Sequence, residues 1–260
     1  MTRSLFARQG SVAPTMKILV PIKRVVDPFA KVRPLADGTG VDTTGIKFEI
    51  NPFDEIAIEE AVRQKERDPS IEITAVSIGG PECEEQLRKA LAIGADKAVL
   101  VETSAPLDSP GVAAELHALA LETSADLVLM GKQATDDDNN QAGQMLAAKL
   151  GWPQATFASK LELGSGRAKV VRETDSGEET LDLPLPCVVT TDLRLNQPRY
   201  IALPGIIKAR SKPLERRAAA VNPPPRTRTL KVEAPPPRSA GKIVGSVDEL
   251  LSELRARGAI

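Results

Sequence analysis

The chain has 260 residues, of which 42% are hydrophobic and 27% charged, with a formal net charge of -1. These values indicate a globular protein, with one large domain and appendages or two small domains. The near-neutral charge gives no reason to expect a nucleic-acid or membrane partner, and no apolar stretch approaches the roughly 20 residues that span a bilayer.

Histidine and cysteine are scarce. The only histidine, His117, falls within the helical pattern "GVAAELHALA", and the two cysteines, Cys83 and Cys187, lack metal-ligand spacing. We expect both thiols to be buried and reduced. This inventory argues against a zinc site or a Ser–His–Asp triad, and no catalytic residue or metal ligand is predicted.

Residues 1–15 are excluded from the predicted fold. They carry arginines and serines but no acid, which weakly resembles a mitochondrial presequence. An over-extended or tag-like start is the alternative, because the first clear strand begins at Met16. We expect this extension to be disordered.

From Met16 to about Gly151, apolar strand-like runs alternate with helical patterns. The strands are "KILVPIK", "IEITAVSIGG", "KAVLVE" and "DLVLMG", and the helices are "NPFDEIAIEEAVRQKE", "CEEQLRKALAIGAD", "GVAAELHALALETS" and "NQAGQMLAAKLG". In the first helix, Asn51 suits the N-cap and Asp54 the capping-box position. The alternation predicts an α/β fold with a doubly wound, mainly parallel sheet, of the adenine-nucleotide alpha-hydrolase-like or flavodoxin-like kind.

After Gly151 the pattern changes to "FASKLELG", "AKVVRET" and "EETLDLPLPCVVTTD". These segments predict hairpin-linked strands that extend the sheet with antiparallel pairing. We therefore expect an α/β nucleotide-binding domain over residues 16–203.

Residues 204–240 are rich in prolines and basic residues and nearly free of acids. A disordered linker and an extended arm that wraps a partner both fit, and the apolar "GIIKA" and strand-like "TLKVE" favour the arm. Residues 241–260 predict a short amphipathic docking helix with Ser246 as its N-cap.

Three loops follow strands at the carboxyl edge of the predicted sheet, where open α/β sheets bind ligands. They come after "KILVPIK", after "ITAVSIGG", and within "GKQATDDDNN". Gly131 would let a ligand approach the backbone, and the helix start after this loop offers free N–H groups to a phosphate. We expect the aspartates to cap and orient the turn, with Asn140, Gln141 and backbone amides facing the ligand. A metal cluster and a helix cap without any ligand remain alternatives.

Several motifs resemble the beta subunit of electron transfer flavoprotein. They are "KRVVD", "NPFDEIAIEEAVRQKE", "LRKALAIGAD", "GKQATDDDNNQAGQM", "WPQATFASKLEL" and, most specifically, "TTDLRLNQPRYIALPGIIKARSKPLE". The resemblance covers residues 16–260 in order. It implies a heterodimer with an alpha subunit that holds most of the FAD site, while beta completes the flavin's surroundings and holds a structural AMP.

The resemblance also assigns site residues. The implied AMP contacts are Pro21, Asn51, Pro52, Phe53, Asp54, Ile78, Gly131, Lys132, Gln133, Ala134, Thr135, Asp136, Asp137, Asp138, Asn139, Asn140, Gln141 and Ala142. Electron-bifurcating relatives, which carry a second FAD here, typically read D-G-D-T-x-Q, whereas this chain reads "DDDNNQ". We therefore expect AMP and no bifurcation.

The family's partner-docking loop maps onto "PRYIALPGIIK", with Leu203 as the anchor and Tyr200 and Lys208 beside it. An ordinary core leucine is the alternative for Leu203. Glu173 matches the family glutamate that pairs with an arginine of alpha near the flavin, and a solvated strand charge is its alternative.

The implied function is electron carriage rather than catalysis by this chain, because the flavin performs the redox step. The implied partners are the alpha subunit, acyl-CoA and related dehydrogenases as donors, and a membrane quinone oxidoreductase as acceptor. A bacterial cytoplasm is the expected location, or the mitochondrial matrix for a eukaryotic source. The alternative is an adenine-nucleotide-binding α/β module, hydrolase-like or ligand-sensing, without a redox role.

Overall fold

A computed structural model describes residues 15–103, 107–221, 223–238 and 240–260. Nearly all of the predicted N-terminal extension, residues 1–14, lies outside the described residues. The chain divides into two compact units. The larger contains the described residues within Met1–Lys31 and Thr43–Arg228, and the smaller contains those within Val32–Asp42 and Thr229–Ile260.

The described chain contains thirteen strands and six α-helices. The strands are β1 Lys17–Pro21, β2 Arg24–Val26, β3 Arg33–Pro34, β4 Val41–Asp42, β5 Phe48–Ile50, β6 Glu72–Gly79, β7 Lys97–Glu102, β8 Leu127–Gly131, β9 Gln154–Gly164, β10 Arg167–Thr174, β11 Gly177–Pro184, β12 Cys187–Thr191 and β13 Leu214–Ala218. The helices are α1 Pro52–Arg67, α2 Glu84–Ile93, α3 Ser109–Thr123, α4 Ala142–Leu150, α5 Leu203–Ala209 and α6 Val247–Ala256.

Nine strands form the main sheet, in the order β11-β10-β9-β12-β8-β1-β6-β7-β13. Along the sheet, the neighbouring strands in the series β9-β12-β8-β1-β6-β7-β13 all pair in parallel. Strand β10 pairs antiparallel with β9 and with β11. The prediction of a mainly parallel sheet extended by antiparallel strands is confirmed. The run "EETLDLPLPCVVTTD" forms two strands, and the second of them, β12, lies inside the parallel part.

The sheet is covered on both faces, as the apolar strand-like runs predict. Ile18 and Val20 of β1 pack in a core cluster with residues of α1 and α2, whereas Leu19, between them, packs in a second cluster with residues of α3 and α4. All three side chains are buried. Alternate residues of a strand point to opposite faces, so this division confirms the doubly wound arrangement. Cys83 and Cys187 are free thiols and both are buried, as expected.

The sheet continues beyond residue 203, where the sequence predicts the start of an extended arm. "LPGIIKA" forms α5, and β13 pairs in parallel with β7 at the edge of the sheet. The strand "LERRA" was missed because its charged side chains lie at an exposed edge and hide any apolar pattern. The described residues between Ala219 and Ser246 contain no helix or strand.

The chain leaving β13 is held along α3 by carboxylates. Glu115, only 2% exposed, accepts hydrogen bonds from the backbone N–H groups of Ala220 and Val221. Asp108, the N-cap of α3, accepts from Gly111 N at 3.1 Å and from Arg226 N at 2.6 Å. The start of the predicted arm is therefore fixed on the larger unit.

The smaller unit contains the β3–β4 pair and α6. Val232 donates its backbone N–H to Gly38 O at 2.9 Å. Ser246 caps α6 by accepting from Glu249 N, so the predicted cap is confirmed, and none of the helix's residues is buried. Within the described residues, no helix has the length and apolar character needed to cross a membrane.

Candidate functional site

A cavity of about 770 Å³ lies at the carboxyl ends of β1, β6, β7 and β8. On one side of β1 the sheet continues through β6 and β7. The next strand in the chain, β8, lies on the other side of β1. The cavity therefore lies where strand order reverses, which is the place where open α/β sheets bind ligands. Its volume falls within the roughly 300–1,000 Å³ typical of small-molecule sites.

Asp54, in the first turn of α1, ties two strand ends together. Its Oδ2 accepts the backbone N–H of Lys23 at 2.8 Å, and its Oδ1 accepts that of Gly131 at 3.0 Å. A Cβ on residue 131 would meet Asp54 Oδ1 at 2.4 Å, so only glycine allows this approach. Burial raises the pKa of Asp54 to about 7, although the backbone donors and Lys23 favour the ionised form.

Asn51 precedes α1, but its side chain makes no capping hydrogen bond to the helix. Instead Nδ2 donates to Gln133 O at 2.8 Å, and Oδ1 accepts from Thr135 N at 3.3 Å. Asp54 likewise contacts strand ends rather than closing a capping box. Asn51 is the N-cap residue of α1, as predicted, but neither side chain caps the helix, because strand ends and a loop distant in sequence take their hydrogen bonds.

The consecutive aspartates fold the loop after β8. Asp136 and Asp137 bind Lys23 Nζ at 2.7 and 2.9 Å, and Asp138 accepts from Gln133 Nε2. Burial alone would lower the pKa of Lys23, but these carboxylates hold it above its ordinary value. As expected, Asp137 caps the turn, since its Oδ1 accepts from Asn139 N at 3.2 Å. In addition, Asp136 and Asp137 neutralise a lysine from the neighbouring strand end.

Two residues of this loop adopt left-handed backbone conformations, Asp138 with φ 53° and Asn140 with φ 48°. Asp and Asn tolerate this region better than other side chains, which accounts for part of the unusual composition. The left-handed conformation of Asn140 also keeps this residue out of the helix, so α4 begins at Ala142 rather than at Asn140. No group of three His, Cys, Asp or Glu side chains suited to a metal ion occurs among the described residues.

The start of α4 presents hydrogen-bond donors to the cavity. Among the described residues, the backbone N–H groups of Ala142, Gly143 and Gln144 have no acceptor, as expected for a first helical turn. Ala142 and Gly143 line the cavity. Gln144 donates to Asn140 Oδ1 at 2.9 Å, while its own Oε1 is buried without a partner. Such donors at the positive end of a helix suit an anion.

Part of the cavity lining is apolar. It is formed by side chains of β6, α3 and β8, namely Val76, Ile78, Val112, Leu116 and Met130. A lining that combines an apolar wall with a polar loop suits a ligand that joins a flat ring to an anionic group.

Most of the residues predicted to contact a nucleotide line this cavity. These are Pro21, Asn51, Asp54, Ile78, Gly131, Lys132, Gln133, Ala134, Asp137, Asn139, Asn140, Gln141 and Ala142. The cavity lining does not include Pro52, Phe53, Thr135, Asp136 or Asp138. Of these, Thr135, Asp136 and Asp138 hold the loop through the contacts given above.

Other lining residues were missed by the sequence reasoning, among them Lys23, Glu82 and Glu102. The glycines Gly79 and Gly80 at the end of β6 were a usable signal, because they mark a close approach of the backbone. The end of β7 was a fourth strand end that could have been included on the same argument.

The predicted docking residues lie at the surface. Tyr200 is 100% exposed and Leu203, at the first position of α5, is 68% exposed, so the alternative of a core leucine for Leu203 is excluded. Lys208 is also exposed. Leu203 lies at the start of a short helix rather than in a loop.

Glu173, predicted to lie near a flavin, is at the end of β10. Its carboxylate binds Arg194 Nη1 at 2.5 Å, with the Glu173 side chain 29% exposed and that of Arg194 71% exposed. The partly buried carboxylate thus has a partner within this chain, so it is not simply a solvated charge.

The fold and the cavity together place the chain in the class of doubly wound α/β proteins with a cavity at the carboxyl edge of the sheet. Residues 39–222 match the family model described as Electron transfer flavoprotein domain. Electron transfer flavoprotein subunit beta of Bradyrhizobium diazoefficiens is 48% identical, over 94% of this chain and 100% of that protein. The mitochondrial subunit beta of Arabidopsis thaliana is 50% identical, over 92% of this chain and 98% of that protein. The human subunit beta is 47% identical, over 94% of this chain and 99% of that protein.

The chain therefore belongs to the electron transfer flavoprotein family and resembles its beta subunits along nearly its whole length.

The raised pKa of Asp54 gives a testable pH dependence. Between about pH 4 and pH 7 the unfolded chain loses this proton before the folded chain does, so the contribution of Asp54 to the free energy of unfolding falls as the pH rises. The fall is at most about 4 kcal/mol, at 1.36 kcal/mol per pKa unit. In Asp54→Asn the titration is absent. We expect the difference in free energy of unfolding, wild type minus variant, to fall over this range in urea titrations.

Asp37→Asn is the control. Hydrogen bonds from Thr39 hold the pKa of Asp37 below its ordinary value, so its contribution rises with pH and is complete by about pH 4. A wild-type-minus-Asp54→Asn difference that stays constant between about pH 4 and pH 8 would contradict the assignment.

Proposed function

We propose that this chain is the beta subunit of a heterodimeric electron transfer flavoprotein. It binds a structural AMP, completes the FAD site of an alpha subunit, and docks acyl-CoA and related dehydrogenases whose electrons pass to a quinone oxidoreductase. The observation that carries the proposal is the near-complete match to beta subunits in a chain whose cavity combines a donor-rich loop with an apolar wall. We infer an electron carrier rather than an enzyme.

AMP fits the residues around the cavity. The phosphate would bind the free N–H groups at the start of α4 and the loop from Gly131 to Gln141. The aspartates of this loop are engaged with Lys23 and Gln133, so they would repel the phosphate less. The apolar wall at Ile78, Leu116 and Met130 would take the adenine ring. The sequence "DDDNNQ" supports AMP rather than the second FAD of bifurcating relatives.

The FAD, held mainly by alpha, would supply the one- and two-electron chemistry. On this chain Glu173 is the residue proposed to face it. Its pair with Arg194 keeps the carboxylate at the end of β10, where a cation of alpha would find it already oriented. No group of this chain is proposed to transfer a proton or an electron.

Docking is assigned to the segment Tyr200–Lys208, with Leu203 as the anchor. An exposed leucine beside an exposed tyrosine is a small apolar contact, which suits a partner that must bind and leave quickly. Lys208, in the last turn of α5, adds a positive charge to the same segment.

The remaining chain is proposed to contact alpha. Beyond Ala218 the arm lacks helix and strand among its described residues, and exposed apolar side chains such as Leu230 and Ile243 have no cover. Val247 and Leu250 of α6 are exposed as well. We propose that the alpha subunit covers them. The predicted arm is therefore limited to the part of residues 204–240 that follows Ala218, and residues 241–260 keep their predicted role as a docking helix.

The location follows from the source. One similar protein is named as mitochondrial and another is bacterial. We propose the cytoplasm for a bacterial source and the mitochondrial matrix for a eukaryotic one. No nucleic-acid partner and no insertion into a membrane are proposed.

Nucleotide content tests the site. We expect the chain copurified with alpha to release AMP in equimolar amount with a single FAD per dimer, identified by chromatography and mass after denaturation. Gly131→Ala should lose AMP, because its Cβ would collide with Asp54 Oδ1 at 2.4 Å, whereas Gly164→Ala, which meets nothing within 4 Å, should keep it. Release of ATP, of a second FAD, or of no nucleotide would contradict the proposal.

The docking role is tested by Leu203→Ala in the complex with alpha. We expect a roughly tenfold higher apparent KM for a reduced acyl-CoA dehydrogenase, about 1.4 kcal/mol, with unchanged FAD content. Leu121→Ala, at an exposed leucine of α3, is the matched control. Unchanged turnover in Leu203→Ala would exclude the anchor role.

A further inference from the structure

The residues just before the docking segment are bonded to the side and end of α1. Asn196 Nδ2 donates to Ile56 O at 3.0 Å and to Glu60 Oε2 at 3.2 Å. Gln197 O accepts from Arg63 Nη2 at 2.8 Å. The chain therefore reaches Tyr200 along a path fixed by this helix.

Glu59 is the centre of these contacts. Its side chain is only 2% exposed and accepts Arg199 Nε at 2.8 Å and Arg63 Nε at 2.6 Å. Glu59 also accepts the backbone N–H of Arg199 at 3.3 Å. Burial alone would raise the pKa of Glu59, but the two guanidinium groups hold it below its ordinary value.

The carboxylate of Glu59 is buried, whereas the side chains of Arg199 and Arg63 are partly exposed. Such an ion pair is a weak source of stability, because the cost of desolvating the carboxylate offsets much of the attraction. Its better-supported use is to select one arrangement over others. In this chain the ion pair would fix the backbone path of residues 196–199, which lie directly before the fully exposed Tyr200.

The other end of the docking segment is held in a comparable way on α2. Arg88 Nη1 donates to Ala209 O at 2.9 Å and to Lys212 O at 3.1 Å. Lys212 Nζ donates to Leu91 O at 2.9 Å and to Ala95 O at 2.6 Å. Between these two attachments Leu203, Ile206 and Ile207 are exposed.

We propose that Glu59, supported by Glu60, is a positioning residue that holds the Tyr200–Lys208 segment in the conformation that a dehydrogenase binds. The proposal rests on the docking function given above. Glu59 does not touch the partner. It removes the entropic cost of ordering the segment at the moment of docking, so its loss weakens docking without changing the flavin.

The test compares Glu59→Gln with Glu66→Gln in the complex with alpha. Glu66 also binds Arg199, at 2.6 Å, but its side chain is 57% exposed, so its loss should have little effect. We expect Glu59→Gln to raise the apparent KM for the reduced dehydrogenase roughly tenfold, with kcat and FAD content unchanged. Glu59→Asp, which keeps the charge, should recover part of the loss.

Tyr200 gives a second readout that does not involve docking. It is the only tyrosine of the chain, so 3-fluorotyrosine labelling of the full chain places a single ¹⁹F resonance in the segment. We expect this line to narrow in Glu59→Gln, because the segment becomes more mobile, and to stay as in the wild type in Glu66→Gln.

The outcomes separate the two proposals. If Leu203→Ala raises the KM but Glu59→Gln changes neither the KM nor the ¹⁹F line, the positioning role is wrong and docking stands. If Leu203→Ala has no effect, the docking function itself fails. Should Glu59→Gln not fold, Arg199→Gln replaces it, since Glu59 then keeps Arg63 as a partner, and the same increase in KM is expected.

Discussion

The buried carboxylate of Asp54 connects the parts from which the cavity is built. It accepts backbone N–H groups at the ends of β1 and β8, and it belongs to the first turn of α1. A carboxylate shielded from water is costly, and the pKa of about 7 reflects that cost. Asp54 can serve both strand ends because its two oxygens meet two different backbone N–H groups.

Helix α1 serves two surfaces at once. Its first turn closes the cavity through Asn51 and Asp54, while Glu59 and Glu60 in its middle hold the chain before Tyr200. This explains why so many polar side chains of the helix are buried, a pattern that a helix packed only on a sheet would not show. The proposed nucleotide site and the proposed docking segment are therefore both held by contacts with α1 and its N-cap residue.

Much of the fold could be predicted from the sequence, because buried strands such as β1 and β8 are continuous apolar runs and the Ser246 cap of α6 is a local signal. Contacts distant in sequence could not be predicted. Lys23 meets Asp136 across 113 positions, and nothing local marks that pairing. Asn51 occupies the predicted N-cap position, but its side chain binds a remote loop, which nothing local indicates.

The most direct test of the central claim, that the loop after β8 is a phosphate cradle, is a calorimetric comparison of AMP and adenosine. Both ligands would be titrated into the nucleotide-free full chain at fixed ionic strength. Charged hydrogen bonds from free N–H groups predict that AMP binds at least roughly tenfold more tightly than adenosine. Equal affinities would show that the phosphate makes no favourable contact there, and the account of the loop would be wrong.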